Sequence, residues 1–117
     1  MQMVSERLKA EAKEALKRSV GEKKGGCALV SRNGKIYSGF YVHLDDGFTV
    51  YPADMALMAA LGDGCTRFAA AYFCGEAFSK DSLKRLARFG DLLINVQREN
   101  KKITSTLKKL IFELGEE

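Results

Sequence analysis

Apolar and polar positions recur along the chain with two different periods, and these periods divide the sequence into helices and strands. Residues 4–19 carry apolar side chains at helical spacing with charged side chains between them, which predicts an amphipathic helix. Residues 27–31 and 35–44 are predicted to be two strands around Arg32-Asn33-Gly34, because Asn-Gly tolerates the positive φ angles that a tight hairpin turn needs. The chain is therefore predicted to begin with a helix and a β-hairpin.

The remaining sequence alternates between helix and strand patterns. Residues 52–61, rich in Ala and Met, are predicted to form a helix that begins at Pro52 and is closed by Gly62. The apolar run over residues 68–74 is typical of a central strand covered on both faces. The elements predicted after it are a helix capped by Ser79 and ended by Gly90, a strand over 92–96, a polar turn over 97–102, and a last helix with Leu107, Leu110, Ile111 and Leu114 on one face.

This order of elements, α-β-β-α-β-α-β-α, defines the predicted fold class. Strands joined through helices favour parallel pairing, and the N-terminal hairpin adds an antiparallel pair. We therefore predict an α/β three-layer sandwich, in which flanking helices cover a mixed sheet of about four or five strands.

Length and composition restrict the class of protein. With 117 residues, 46% of them hydrophobic and 29% charged, the chain is expected to form one globular domain over residues 1–117. No apolar run is long enough for a transmembrane helix, and residues 1–18 lack the continuous apolar stretch of a signal peptide. Cys27, Cys65 and Cys74 form no Cys-x-x-Cys pair and are typical of reduced thiols. We expect a cytoplasmic protein with no membrane partner.

The net charge of +4 comes from lysines in small clusters such as Lys23-Lys24 and Lys101-Lys102. A nucleic-acid interface would place aromatic residues among the basic ones, whereas here the two lie apart. Nucleic acid is therefore not the expected partner, and nucleic-acid binding is kept as a second alternative.

Four segments of the sequence resemble the cytidine deaminases. Residues 26–30 and 33–39 are similar to the first hairpin of that family, residues 49–57 to its first core helix, and residues 106–110 to its closing segment. The resemblance extends roughly over residues 5–114 and implies the fold predicted above. Because this family commonly forms dimers or tetramers, it also implies a homo-oligomer.

The same resemblance implies particular residues for zinc chemistry. A zinc deaminase binds Zn²⁺ through one His or Cys at the start of the first core helix, and a nearby Glu transfers protons. In this sequence the ligand position is Pro52 and the Glu position is Asp54. The family's substrate-recognising Asn-x-Glu is matched by Tyr41-Val42-His43.

The two remaining zinc ligands of the family come from a Pro-Cys-x-x-Cys helix start. One alignment matches these cysteines to Ser79 and Ser82, and another matches them to Cys74 and Ala77. Neither alignment supplies the three protein ligands of a catalytic zinc site. We therefore predict no metal site and no cofactor, with zinc expected only if the chain has a rebuilt site.

Two functions remain open. The first is a non-catalytic protein, a pseudoenzyme, whose fold serves homo-oligomeric assembly or binding of a nucleoside-like ligand. The alternative is a divergent nucleoside or base deaminase, or a related hydrolase, with a site rebuilt from Asp54, His43 and Cys74. The helix-cap explanation of Asp54 is the favoured one. The residues proposed to contact a ligand are Tyr41, His43, Phe48, Tyr51 and Asp54.

Overall fold

The structure is a computed structural model that describes residues 2–98 and 101–113. The elements, in chain order, are α1 (Gln2–Lys17), β1 (Gly25–Ser31), β2 (Ile36–Phe40), β3 (Val42–His43), β4 (Thr49–Val50), α2 (Pro52–Gly62), β5 (Phe68–Gly75), α3 (Lys80–Ala87), β6 (Leu93–Arg98), β7 (Lys101–Thr106) and α4 (Leu107–Glu113). Within these two ranges, no helix is long and apolar enough to cross a membrane.

Five strands form one sheet in the order β2-β1-β5-β6-β7. Only β5 and β6 run parallel, because α3 connects them; the other neighbours are antiparallel. The predicted mixed sheet is therefore confirmed, with five strands. The remaining two, β3 and β4, form a separate two-stranded ribbon.

The fifth strand of the sheet, β7, corrects the prediction of a polar turn over residues 97–102. Lys102, Ile103 and Thr104 are all exposed, so this segment lacks the apolar pattern from which a strand is recognised. It is an edge strand that pairs with β6 on one side only, and exposed lysine is common at such edges. The last helix is confirmed as α4, although Leu114 lies outside the described residues.

The predicted hairpin is confirmed with its loop of Arg32, Asn33 and Gly34, but its second strand differs from the prediction. The N–H of Gly34 donates to the carbonyl oxygen of Ser31, so three residues form the loop, and Gly34 has φ +95° after the turn. The strand predicted over residues 35–44 breaks at Tyr41, whose N–H donates to Gly25 and whose carbonyl accepts from Val20. β3 therefore leaves the sheet and pairs with β4.

Helices cover both faces of the sheet. Alternate side chains of β1 separate the two layers: Ala28 and Val30 pack with α1, whereas Cys27 and Leu29 belong to the larger cluster under α2 and α3. Leu107 of α4 completes that larger cluster. The result is the predicted three-layer sandwich.

Two glycines of the first hairpin allow helices to approach the strand backbone. A Cβ at Gly26 would overlap the carbonyl oxygen of Ala12 in α1. A Cβ at Gly39, on the opposite face, would overlap the carbonyl oxygen of Pro52 and lie 2.7 Å from the nitrogen of Ala56 in α2. Both helices therefore rest on the strands at positions where no side chain fits.

Gly39→Ala should lower the free energy of unfolding by about 2–4 kcal/mol, because the new methyl group meets helix backbone that has no space to move. Gly62→Ala is the matched control: Gly62 has no atom within 4 Å of a built Cβ and should change stability by less than about 1 kcal/mol. Urea unfolding followed by circular dichroism measures both. Equal stability of the two variants would contradict the close approach.

Candidate functional site

The first candidate residue, Asp54, lies in the first turn of α2 and binds α3. Arg85 donates from Nε to Oδ1 at 2.8 Å and from Nη2 to Oδ2 at 2.7 Å, which is a bidentate pair. The side chain of Asp54 is 22% exposed and that of Arg85 is 53% exposed. Hydrogen bonding to Asp54 raises the pKa of Arg85 above its ordinary value. Asp54 therefore connects two helices.

The start of α3 is closed by its own hydroxyl groups. Ser79 is the N-cap, as predicted, and its Oγ accepts from the N–H of Ser82 at 3.4 Å. Ser82 is buried, and its Oγ donates to the carbonyl oxygen of Ser79 at 2.8 Å. Both hydroxyls therefore have partners within the helix start.

Hydrocarbon fills the space next to these helix starts. A Cβ at Gly25 would lie 2.9 Å from the Cβ of Ala77 and 3.2 Å from the Cγ of Pro52. Pro52 is fully buried. Among the described residues, no buried side-chain nitrogen or oxygen lacks a hydrogen-bond partner. The packing here therefore leaves no polar atom directed at a missing ligand.

Three of the predicted ligand-binding residues form an aromatic cluster, which we define as Tyr41, His43 and Tyr51. The rings of Tyr41 and His43 are 9° from parallel with centroids 6.4 Å apart, and those of Tyr41 and Tyr51 are tilted at 5.5 Å. Nδ1 of His43 is 2.7 Å from Oγ1 of Thr49. Tyr51 directly precedes α2, so the aromatic cluster lies beside the helix start that carries Asp54.

Phe48, the fourth aromatic candidate, lies away from the others at the tip of the β3–β4 ribbon and is 57% exposed. Its carbonyl oxygen accepts from the N–H of Leu44. Leu44 and Val20 are also exposed and line a shallow cavity together with His43. We define Val20, Leu44 and Phe48 as the ribbon patch.

Cys74, the third catalytic candidate, is on the other side of the sheet. It is buried among residues that pack with α1, and its Sγ donates to the carbonyl oxygen of Ala12 at 3.3 Å. Successive side chains of β5 point to opposite faces of the sheet. Because Phe73 faces α3, Cys74 faces α1. Burial raises the pKa of the Cys74 thiol.

The structure therefore does not assemble the predicted set of Asp54, His43 and Cys74. In the described ranges, no group of three or more His, Cys, Asp or Glu residues is placed to hold a metal ion. Arg85, the partner of Asp54, was not among the predicted residues. Its only signal in the sequence is its charge, which many other exposed residues share.

Solved structures of cytidine deaminases superpose on this architecture. The enzyme from Burkholderia pseudomallei matches with a TM-score of 0.81 and 23% identity, over 90% of this chain and 94% of that chain. The chain has the cytidine deaminase-like fold. The enzyme from Mycobacterium tuberculosis matches with a TM-score of 0.75 and 17% identity, over 90% and 91% of the two chains. The enzyme from Bacillus anthracis matches with 0.70 and 13%, over 92% and 86%.

Neither a protein-family model nor a curated protein matches the sequence. At the identities found, similarity to the solved structures establishes the cytidine deaminase-like fold alone. The fold predicted from the hairpin and the first core helix is thereby confirmed. The roles proposed for individual residues stay predictions.

A double-mutant cycle of Asp54→Ala and Arg85→Ala should give a coupling free energy of about 1 kcal/mol, because the pair is bidentate but Arg85 is half exposed. The coupling should decrease in 1 M salt, because the Debye screening length is then only about 3 Å. Arg85→Lys is the control that keeps the positive charge but cannot form the bidentate pair, so it should retain only part of the coupling free energy. Additive effects of the two alanine substitutions would show that the pair contributes nothing.

Proposed function

We propose that this protein is a non-catalytic member of the cytidine deaminase-like fold, and that it uses the fold for assembly into a homo-oligomer. The observation that carries the proposal is the ion pair between Asp54 and Arg85. The family resemblance assigns proton transfer to the carboxylate at this position. Here the carboxylate is one methylene shorter than Glu, and Arg85 directs both of its oxygens toward α3.

The donor atoms at the corresponding zinc position also support the proposal. The resemblance requires a helix that starts with two cysteines, and the alignment to the start of α3, which Ser79 caps, gives the cysteine positions to Ser79 and Ser82. Neutral hydroxyls are poor zinc ligands, and these two already bond within the helix start. Pro52 takes the third position and has no atom that binds a metal. These residues do not fit zinc.

The rebuilt enzyme site is the weaker alternative. It would need Cys74 beside Asp54 and His43, but Cys74 faces α1 and its thiol donates a hydrogen bond to the carbonyl oxygen of Ala12. Binding of a nucleoside-like ligand at the aromatic cluster is compatible with our proposal, because aromatic faces stack on bases without catalysis. Nucleic-acid binding has no specific observation in its favour.

The assembly surface that we propose is the ribbon patch together with the exposed side of α2. Val20, Leu44 and Phe48 are large apolar side chains that solvent reaches, and Met58 of α2 is 67% exposed. Clustered exposed apolar residues mark protein interfaces, whereas single ones do not. The resemblance implies a dimer or a tetramer.

Elemental analysis of the purified protein should find far less than one zinc per chain, and no zinc-dependent conversion of cytidine to uridine should be detected. The control is a triple variant with Pro52→Cys, Ser79→Cys and Ser82→Cys, which places three thiolates at the helix starts and should take up zinc. One zinc per chain in the unmodified protein, with turnover of cytidine, would overturn the proposal.

Light scattering should give the mass of a dimer or a tetramer for the unmodified protein. The paired substitution Leu44→Ser and Phe48→Ser should shift the mass toward a monomer, because it removes apolar area from the ribbon patch. The matched control is Phe112→Ser in α4, where the side chain is 76% exposed but lies outside the proposed surface. A monomeric unmodified protein, or dissociation by the control alone, would contradict this assignment.

A further inference from the structure

A pair of arginines lies at the end of the central strands that is distant from Asp54. Gly25, at the start of β1, packs beside Pro52 and Ala77. Arg32 directly follows the other end of β1, and Arg67 directly precedes β5. The two arginines are therefore independent of the helix starts that carry the proposed function.

Strand pairing places these two arginines next to each other. Ser31 is opposite Phe68 in the antiparallel β1–β5 pair, and the N–H of Arg32 donates to the carbonyl oxygen of Arg67 at 3.1 Å. Both arginines line the same two surface cavities.

Neither guanidinium has an acidic partner in the part of the chain that the structure describes. The two acids that line the cavities have other partners, and Oδ1 of Asp91 accepts from the N–H of Lys108 at 2.8 Å. Asp63 accepts from Nζ of Lys35 at 2.6 Å and from the hydroxyl of Tyr37 at 2.7 Å, and these bonds hold its pKa below the ordinary value. Two guanidinium groups that line the same cavities repel each other, and a bound anion would relieve this repulsion.

The cavities on either side of the arginines have the size of small-molecule sites. One has a volume of about 650 Å³ and the other about 570 Å³. In the first, Phe68 and Phe89 meet edge to face with centroids 6.2 Å apart, and Asp91 lies on the wall. This cavity therefore combines cations, an aromatic surface and one hydrogen-bond acceptor.

We propose that Arg32 and Arg67 bind the phosphate of a nucleoside monophosphate, with its ring system in the cavity beside Phe89. Guanidinium groups recognise phosphate by paired hydrogen bonds, and two of them neutralise its double charge. Oδ1 of Asp91 already accepts from the N–H of Lys108 at 2.8 Å, so its other oxygen, Oδ2, is the one that would accept from a sugar hydroxyl. A longer nucleic acid fits less well, because Asp63 and Asp91 on the two sides of the arginines repel successive phosphates.

Calorimetric titration of the unmodified protein with adenosine 5′-monophosphate tests the proposal. Arg32→Gln and Arg67→Gln should each weaken binding by at least about tenfold, because each removes one charge-assisted contact. Adenosine without phosphate should bind far more weakly. Arg18→Gln is the matched control: it removes the same charge from an exposed position before β1 and should leave the affinity unchanged.

Thermal unfolding provides a second readout that distinguishes a ligand site from a structural role. In phosphate-free buffer, Arg67→Gln should be at least as stable as the unmodified protein, because repulsion between the arginines is removed. With the nucleotide present, the unmodified protein should be the more stable one. Lower stability of Arg67→Gln in both buffers would instead show that Arg67 has a structural role, and would overturn the proposal.

Three further results would also overturn it. These are no binding of adenosine 5′-monophosphate by the unmodified protein, equal weakening by Arg18→Gln, and binding of a single-stranded oligonucleotide without binding of the mononucleotide.

Discussion

Gly26 and Gly39 place the backbones of two helices directly against the two faces of the first hairpin. The layers on the two sides of the sheet are thereby fixed at the closest distance that strands and helices allow. The position of α2 follows from this contact, since the carbonyl oxygen of Pro52 lies against Gly39. The direction of Asp54 and the neighbourhood of Tyr51 depend in turn on where α2 begins.

Three kinds of contact stabilise α2 and α3 in this part of the chain. An ion pair connects Asp54, in the first turn of α2, to Arg85, in the last turn of α3. A serine cap closes the start of α3, and hydrocarbon contacts join Pro52, Ala77 and the backbone of Gly25. Each of these contacts is complete by itself, because no buried polar side-chain atom among the described residues is left without a partner. The buried polar side chains of this region are therefore hydrogen-bonded within the protein.

Features with a strong local cause could be predicted from the sequence. The hairpin at Asn33-Gly34 and the Ser79 cap arise from backbone preferences of single residues, and β5 arises from burial on both faces. Contacts between distant segments could not be predicted in this way. The strand β7 has no apolar pattern that predicts a strand, and its extended conformation is explained by its pairing with β6.

The candidate site was predictable only in part for the same reason. Tyr41, His43, Phe48, Tyr51 and Asp54 were proposed together as ligand contacts, and the rings of Tyr41, His43 and Tyr51 lie in one cluster. Cys74 was placed at the correct strand end, but the side of the sheet to which it points depends on the pleat of β5. Arg85 could be assigned to Asp54 only once the packing of α2 against α3 was known.

β1 lies inside the sheet between β2 and β5, and this position determines the order in which the sheet can be completed. One edge of β1 pairs with β2, which is close in sequence, whereas the other pairs with β5, which comes after the ribbon and α2. During synthesis on the ribosome, the edge of β1 that pairs with β5 therefore has no strand partner until β5 emerges. Unpaired strand edges of incompletely synthesised chains can pair with other chains and aggregate. Pairing of β5 with β1 removes this exposed edge.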